Sequence, residues 1–234
     1  MGQTPAMTAL QIDNLEYRWP GAPSNTLAIG SLHLKAGETL FLHGPSGCGK
    51  STLISAIAGV VDLPEDAVRV GSQDMGRLRG GARDRFRVDH LGMIFQVFNL
   101  VPWLSALENV LLPCTFSQRR HDRAGGAPAT AAQTLLDELG LDGPVVASKP
   151  ASSLSVGQQQ RVAAARALIG APDLILADEP TSSLDEAAKV IFVDLLVREC
   201  ARSGTALVFV SHDRGLEQHF DRSVDFRDLN RLGV

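Results

Sequence analysis

Residues 44–52 read Gly44-Pro45-Ser46-Gly47-Cys48-Gly49-Lys50-Ser51-Thr52, and the first eight fit the spacing G-x-x-x-x-G-K-[ST]. Glycines let the backbone curl until successive N–H groups point inward at one anion. The apolar stretch Thr39 to His43 runs into this loop as a strand, and Lys50 to Gly59 reads as a helix leaving it. A helix that opens there turns its positive end on the same anion. Lys50 adds a point charge beside the β- and γ-phosphates, and the Ser51 hydroxyl suits Mg²⁺. The chemistry is binding of a nucleoside triphosphate with its magnesium.

A second element reads Leu174-Ile175-Leu176-Ala177-Asp178-Glu179. An apolar strand ending in two acids delivers carboxylates to the C-terminal edge of a sheet, where ligands bind. Asp178 is expected to hold Mg²⁺, and Glu179 to polarise an attacking water. Alone, such a pair reads more often as a solvated strand end; downstream of a phosphate loop it completes a hydrolytic site.

A third element, Leu154-Ser155-Val156-Gly157-Gln158-Gln159-Gln160-Arg161, precedes the acid-tipped strand. With it the chain resembles the ATP-binding subunits of ABC transporters, whose signature reads L-S-G-G-Q. The resemblance extends along the chain. Gln96 in Met93-Ile94-Phe95-Gln96 matches the family's Q-loop, Ser183-Leu184-Asp185 its D-loop, and His212 in Val210-Ser211-His212-Asp213 its switch histidine. Trp19 falls where the family has an adenine-stacking tyrosine; Tyr17 is the alternative ring.

The resemblance implies an ATPase that uses ATP and Mg²⁺ and works as a head-to-tail homodimer. Each ATP is then sandwiched between one copy's phosphate loop and the other copy's Ser155, Gly157 and Gln158. It assigns γ-phosphate contact to His212, a link between Mg²⁺, water and the subunit's lobes to Gln96, and dimer-interface contacts to Asp185. Val156 departs from the pattern, because a stiff β-branched residue replaces the first signature glycine. Cys48 inside the phosphate loop is either a small filler or a reactive thiol near Lys50. Cys114 and Cys200 read as apolar fillers.

These residues need a scaffold. Strands alternating with helices argue for an α/β fold with a mainly parallel P-loop core. Residues 8–43 read as short strands, marked by the alternation in Ala9-Leu10-Gln11-Ile12 and Leu32-His33-Leu34, and form an antiparallel β subdomain. Further helices are expected at Gly157–Gly170 and Glu186–Arg202, with a strand at Ala206–Val210 and a helix ending at Gly140. One ABC domain over 1–234 is expected, with core at 1–96 and 166–234. Residues 97–165 read as an inserted α-helical subdomain, and His121 to Pro128 as a polar loop.

The 234 residues are 44% hydrophobic and carry a net charge of −4, a soluble globular balance without the basic surplus of a nucleic-acid binder. No apolar run is long enough to span a membrane. Met1 to Leu15 lacks a signal-sequence pattern. The expected location is cytoplasmic, on the inner face of the cell membrane through a partner. The run Ile94 to Pro102 followed by Ala106-Leu107-Glu108-Asn109-Val110 resembles the lipoprotein-release, macrolide-export and FtsE-like subgroup. That resemblance implies FtsX/MacB-like integral membrane permease subunits as partners and export or extraction as the task. A nucleotide-gated regulator acting through such a partner on an extracytoplasmic enzyme is the alternative. Phe98 to Leu112 reads as docking surface or as ordinary core. Arg77, Arg79, Arg83, Arg85 and Arg87 read as a solvated face or as a contact for lipid headgroups or the partner.

Overall fold

The structure, a computed structural model, describes residues 8–232 except Asp142, with the side chains of Pro144 and Val145 also left aside. The expectation about Met1 to Leu15 therefore falls partly outside the described residues.

Two sheets organise the chain. β1 (Thr8–Tyr17) and β2 (Leu27–Lys35) pair antiparallel with Leu10 opposite Leu34, Ile12 opposite Leu32 and Leu15 opposite Ile29. Period two puts Leu10, Ile12, Leu32 and Leu34 in the core, and Leu15 and Ile29 join them beyond the left-handed Asn14 at φ 49°. β4 (Val68–Val70) and β5 (Gln73–Asp74) complete a four-stranded sheet in the order β2-β1-β4-β5. The first two strands are longer than the short alternating stretches predict, because pairing carries them into the polar residues beyond.

The second sheet is parallel throughout. Its strands are β3 (Thr39–His43), β6 (Leu91–Ile94), β7 (Leu174–Asp178), β8 (Ala206–Ser211) and β9 (Arg222–Asp225), in the order β6-β7-β8-β3-β9. Both faces must be covered, and β3 and β8 are buried along their whole length. Leu40, Leu42, Leu176, Val208 and Val210 face a core shared with the antiparallel sheet and α1 (Lys50–Ile57). Phe41, Ile175, Ala177, Leu207 and Phe209 face a second core. There they meet α3 (Ala106–Phe116), α5 (Pro128–Glu138), α7 (Val156–Leu168) and α8 (Glu186–Ser203). Phe209 is fully buried against Phe41 and Phe220, so truncating it to alanine costs about 3–5 kcal/mol.

Strand order positions the chemistry. Asp178 lies opposite Val210, Ser211 opposite His43, and Ala177 opposite Ile94. The loops that leave β3, β7, β8 and β6 therefore emerge side by side at one edge of the sheet. The sheet also sets how closely α7 approaches. A Cβ on Gly92 would lie 2.5 Å from the Ala167 carbonyl oxygen.

Two expectations need correction. His121 to Pro128 is not one loop: α4 (Gln118–Arg123) takes its first half and α5 begins at Pro128. Ser117 caps α4, Gln118 bonds Asp122, and Arg119 and Arg123 both reach Asp173. The arginines of 77–87 are not a free basic surface: Arg77, Arg79 and Arg85 are exposed, as a solvated face requires, yet the guanidiniums are engaged. Arg83 bonds Asp62 and the Leu78 carbonyl, Arg87 the Gly59 carbonyl, Arg85 the Phe116 carbonyl, and Arg77 the carboxylates of Asp66 and Asp74. These side chains, on and just before α2 (Gly80–His90), tie that helix to the fold.

Candidate nucleotide site

α1 starts without a side-chain cap. Its N-cap is Gly49 at φ 110°, a left-handed conformation that disfavours a side chain. A Cβ there would also crowd the Thr26 carbonyl oxygen at 3.2 Å and the Phe226 ring at 3.3 Å. Gly47, at φ 80°, supplies the other left-handed bend. The loop thus turns through two glycines, and the first-turn N–H groups of α1 have no intrahelical acceptor.

A cleft of about 650 Å³ opens at this point, lined by Ser46, Gly47, Gly49, Lys50, Ser51 and Thr52 of the loop and helix. Trp19, Gln96, Glu179 and His212 line its other walls. Thr26 and Ser182 also line it; the sequence reading missed both. Their signal is spatial: Thr26 follows the turn after Trp19, and the Ser182 N–H donates to the Glu179 carbonyl at 3.3 Å. Lys50 is buried, and its ammonium donates to the Gly44 and Pro45 carbonyls at 2.8 Å each.

The acids behave differently from each other. Asp178 sits deep at the end of β7, where burial pushes its carboxyl above the usual range; the neighbouring Glu179 charge adds to this, and the Ser51 hydroxyl and Lys50 oppose it. Its Oδ1 is buried without a hydrogen-bond partner. An orphaned oxygen beside the Ser51 hydroxyl fits a small, hard cation. Among the described residues no cluster of three or more His, Cys, Asp or Glu side chains could cage a metal. Mg²⁺ is commonly held by one or two protein oxygens together with phosphates.

Glu179 adopts φ 47°, a strained conformation for a residue other than glycine or asparagine. The backbone persists there because the Glu179 N–H donates to the Val210 carbonyl at 3.0 Å. The strained backbone turns its carboxylate to His212, whose Nδ1 lies 2.9 Å from Glu179 Oε2. Asp213 braces the next residues: its carboxylate accepts from Lys189 at 2.8 Å and from the Gly215 N–H. The Lys189 bond, helped by the Gly215 N–H, holds that carboxyl below its ordinary range against the opposing effect of burial.

Trp19 is 42% exposed and lines the cleft, with its indole N–H 3.3 Å from Thr52 Oγ1. Tyr17, the last residue of β1, packs on the first core and meets Trp19 edge-on at 5.2 Å. Of the two rings, Trp19 is the one in the cleft.

Several expected residues lie elsewhere. Ser155 is exposed at the start of α7 in a full capping box: its hydroxyl accepts from the Gln158 N–H, and its own N–H donates to Gln158 Oε1 at 3.0 Å. Val156 lies exposed beside it, and Gly157 is half-buried one residue on. None of these lines the cleft. Asp185, also exposed, caps α8 by accepting from the Ala188 N–H at 2.8 Å. Gly44 and Pro45 contribute carbonyls to Lys50 rather than a cleft wall. Cys48 is buried, its Sγ 3.9 Å from Lys50 Nζ, and burial favours the filler reading over the reactive one. Cys114 and Cys200 are buried fillers as well; burial, with the Glu199 charge, pushes the Cys200 thiol up to about 12.

Known proteins are similar to this chain in sequence and architecture. The ABC transporter family profile matches residues 27–182. The chain is 41% identical over 191 residues to the uncharacterized ABC transporter ATP-binding protein YbbA of Escherichia coli K12, across 82% of this chain and 81% of that one. It is 39% identical over 198 residues to the lipoprotein-releasing system ATP-binding protein LolD 2 of Caulobacter vibrioides, across 84% of each. A dimeric bacterial ABC transporter cassette of known structure matches with TM-score 0.77 at 32% identity, over 92% of this chain and 93% of that one. A dimeric post-hydrolysis cassette bound to ADP and Pi matches with TM-score 0.76 at 31% identity, over the same shares.

Proposed function

The chain belongs to the ABC transporter family as an ATP-binding, ATP-hydrolysing subunit, and from that premise we propose that two copies close head to tail on two ATP molecules to drive a separate membrane subunit. The phosphate-loop N–H groups and Lys50 bind the β- and γ-phosphates, and Trp19 stacks on the base. Ser51 and Asp178 would hold Mg²⁺ with help from Gln96, and the ion supplies charge neutralisation at the phosphates when bound. Glu179 orients and polarises the attacking water. His212 holds Glu179 in place and contacts the γ-phosphate.

One observation carries the dimer. The cleft gathers the loop, Gln96, Glu179 and His212, yet Ser155, Gly157 and Gln158 lie outside it at an exposed helix start. Helix starts attract phosphate, and a second copy is the simplest source of one. Asp185 would serve the same interface.

We place residues 97–165 as the helical subdomain that meets the membrane partner, of FtsX/MacB-like type, on the inner face of the membrane. Among the described residues no helix is long and apolar enough to cross a membrane. Phe98 to Leu112 divides between the two expectations: Ala106 and Val110 are core, while Trp103 is 77% exposed. Trp103, with Val97 and Phe116, offers the partner an apolar surface. Similarity to a lipoprotein-releasing ATPase favours export or extraction as the task.

Glu179→Gln tests the reading. With ATP and Mg²⁺ it should bind nucleotide, hydrolyse at least about 100-fold more slowly, and run as a dimer in light scattering. A monomeric Glu179→Gln protein with normal turnover would overturn both the base assignment and the sandwich.

A further inference from the structure

Gln96 lies in the cleft, but little around it fixes its position. It is exposed, and β6 ends two residues earlier at Ile94. Among the described residues, the hydrogen bonds that reach residues 97–100 come from one side chain. Arg166 Nη2 donates to the Phe98 carbonyl and Nη1 to the Asn99 carbonyl, each at 2.7 Å. Asn99 is itself left-handed at φ 51°, so the arginine holds the loop by the carbonyls on both sides of the Asn99 Cα. A planar guanidinium can hold two successive carbonyls at once; an ammonium cannot do so with fixed geometry. Burial lowers the Arg166 pKa from its ordinary value, which is the cost of placing the cation under the loop.

The arginine belongs to α7, whose first residues are the signature. Val156 and Arg166 are about 15 Å apart along the helix at 1.5 Å per residue. The same helix grips the other wall of the cleft. Gln160 is buried, and its amide donates to the carbonyl of Pro180, next to Glu179, at 2.7 Å. A single rigid element therefore touches the segment that presents Gln96, the segment that presents Glu179, and the exposed signature.

We propose that Arg166 is a positioning residue that sets where Gln96 stands over the bound nucleotide, from the helix that begins at Ser155. It touches no substrate and acts through Gln96. This rests on the reading of Gln96 as a group that acts on the nucleotide.

A double-mutant cycle on the full chain separates this from a merely structural role. Gln96→Ala and Arg166→Met should each lower kcat roughly tenfold with ATP affinity nearly unchanged, since a misplaced group costs the chemical step and not the phosphate anchor. The double variant should match Gln96→Ala alone. Arg166→Lys should recover part of the rate, and it stands in for Arg166→Met if that variant fails to fold. A double variant that loses the product of both factors would overturn the proposal. A Gln96→Ala protein with the wild-type rate would overturn the role of Gln96 itself, and the proposal with it.

Discussion

The two helix starts that face phosphate in this reading are built in opposite ways. α1 opens on Gly49 with no side-chain cap, so its N–H groups are left for a ligand. α7 opens on Ser155 with both halves of a capping box closed. The first is a finished half-site, walled by Gln96, Glu179 and His212 of the same copy. The second is already capped and solvent-facing: the Ser155 oxygen accepts from the Gln158 N–H, which leaves its O–H to donate to another copy's nucleotide. Binding at α1 can therefore precede dimerisation, whereas α7 offers a capped helix start and one hydroxyl donor that only a second copy's nucleotide would use. That asymmetry suits a subunit that holds ATP first and closes afterwards.

The largest effect should come from the finished half-site. Lys50→Ala removes the cation that the loop carbonyls hold in place. Hydrolysis should fall about 1000-fold, as for loss of a principal charge-stabilising group, with weaker ATP binding by isothermal titration. Ser155→Ala should leave ATP binding to the isolated chain unchanged. It should slow hydrolysis by about 100-fold, because the lost donor serves only the closed dimer. It also loses the cap, so a drop of about 1 kcal/mol in denaturant stability should accompany it. Equal loss of ATP binding in both variants would erase the distinction between the two helix starts.

The N-terminal edge of the parallel sheet supplies a control remote from both. Asp173 precedes β7, and its carboxyl is pulled two ways. Burial raises its pKa; the hydrogen bonds from His90 and Arg123 and the Arg119 charge more than offset this and hold it well below the usual range. A depressed carboxyl contributes stability above its unfolded pKa of about 4 and loses it as pH falls through the lower folded value. Asp173→Asn should cost about 1–2 kcal/mol near pH 7, a figure kept small because the arginines are exposed. The gap to wild type should close as pH falls below about 4, and ATP turnover per folded molecule should not change. A pH-independent gap in thermal melts would disprove the ionic account.

The cleft was legible in the sequence where chemistry forces particular residue types into short spacings. Gly44 to Ser51, Asp178 with Glu179, and the apolar strands before them read directly. Tertiary partners did not. Arg166 looked like one more helix residue, because the groups it holds are backbone carbonyls, which no residue type marks. The arginines of 77–87 misled for the same reason: their acceptors include the carbonyls of Gly59, Leu78 and Phe116. Thr26 and Ser182 reach the cleft only because strand order brings distant segments together. The long β1–β2 pair exceeded its pattern because ladder bonds, unlike side-chain periodicity, continue through polar residues such as Asp13 opposite Ser31 and Glu16 opposite Ala28.

The smallest effect, and the finest probe of the comparison, is expected at Val156. Its side chain is half exposed at the first helical position of α7, where the family signature has glycine. Two effects oppose each other there. A β-branched side chain stiffens the helix start, which helps closure; it also keeps a phosphate from approaching the backbone N–H groups. The capping box already fixes this terminus, so the added stiffness contributes little, and steric exclusion should win. Val156→Gly should raise hydrolysis at saturating ATP about two- to fivefold, less than 1 kcal/mol at the transition state. It should lower stability by under about 1 kcal/mol, the ordinary cost of glycine in a helix. An unchanged or slower rate would mean that the valine helps close the dimer, and the self-capped start would then be the better-ordered half of the site.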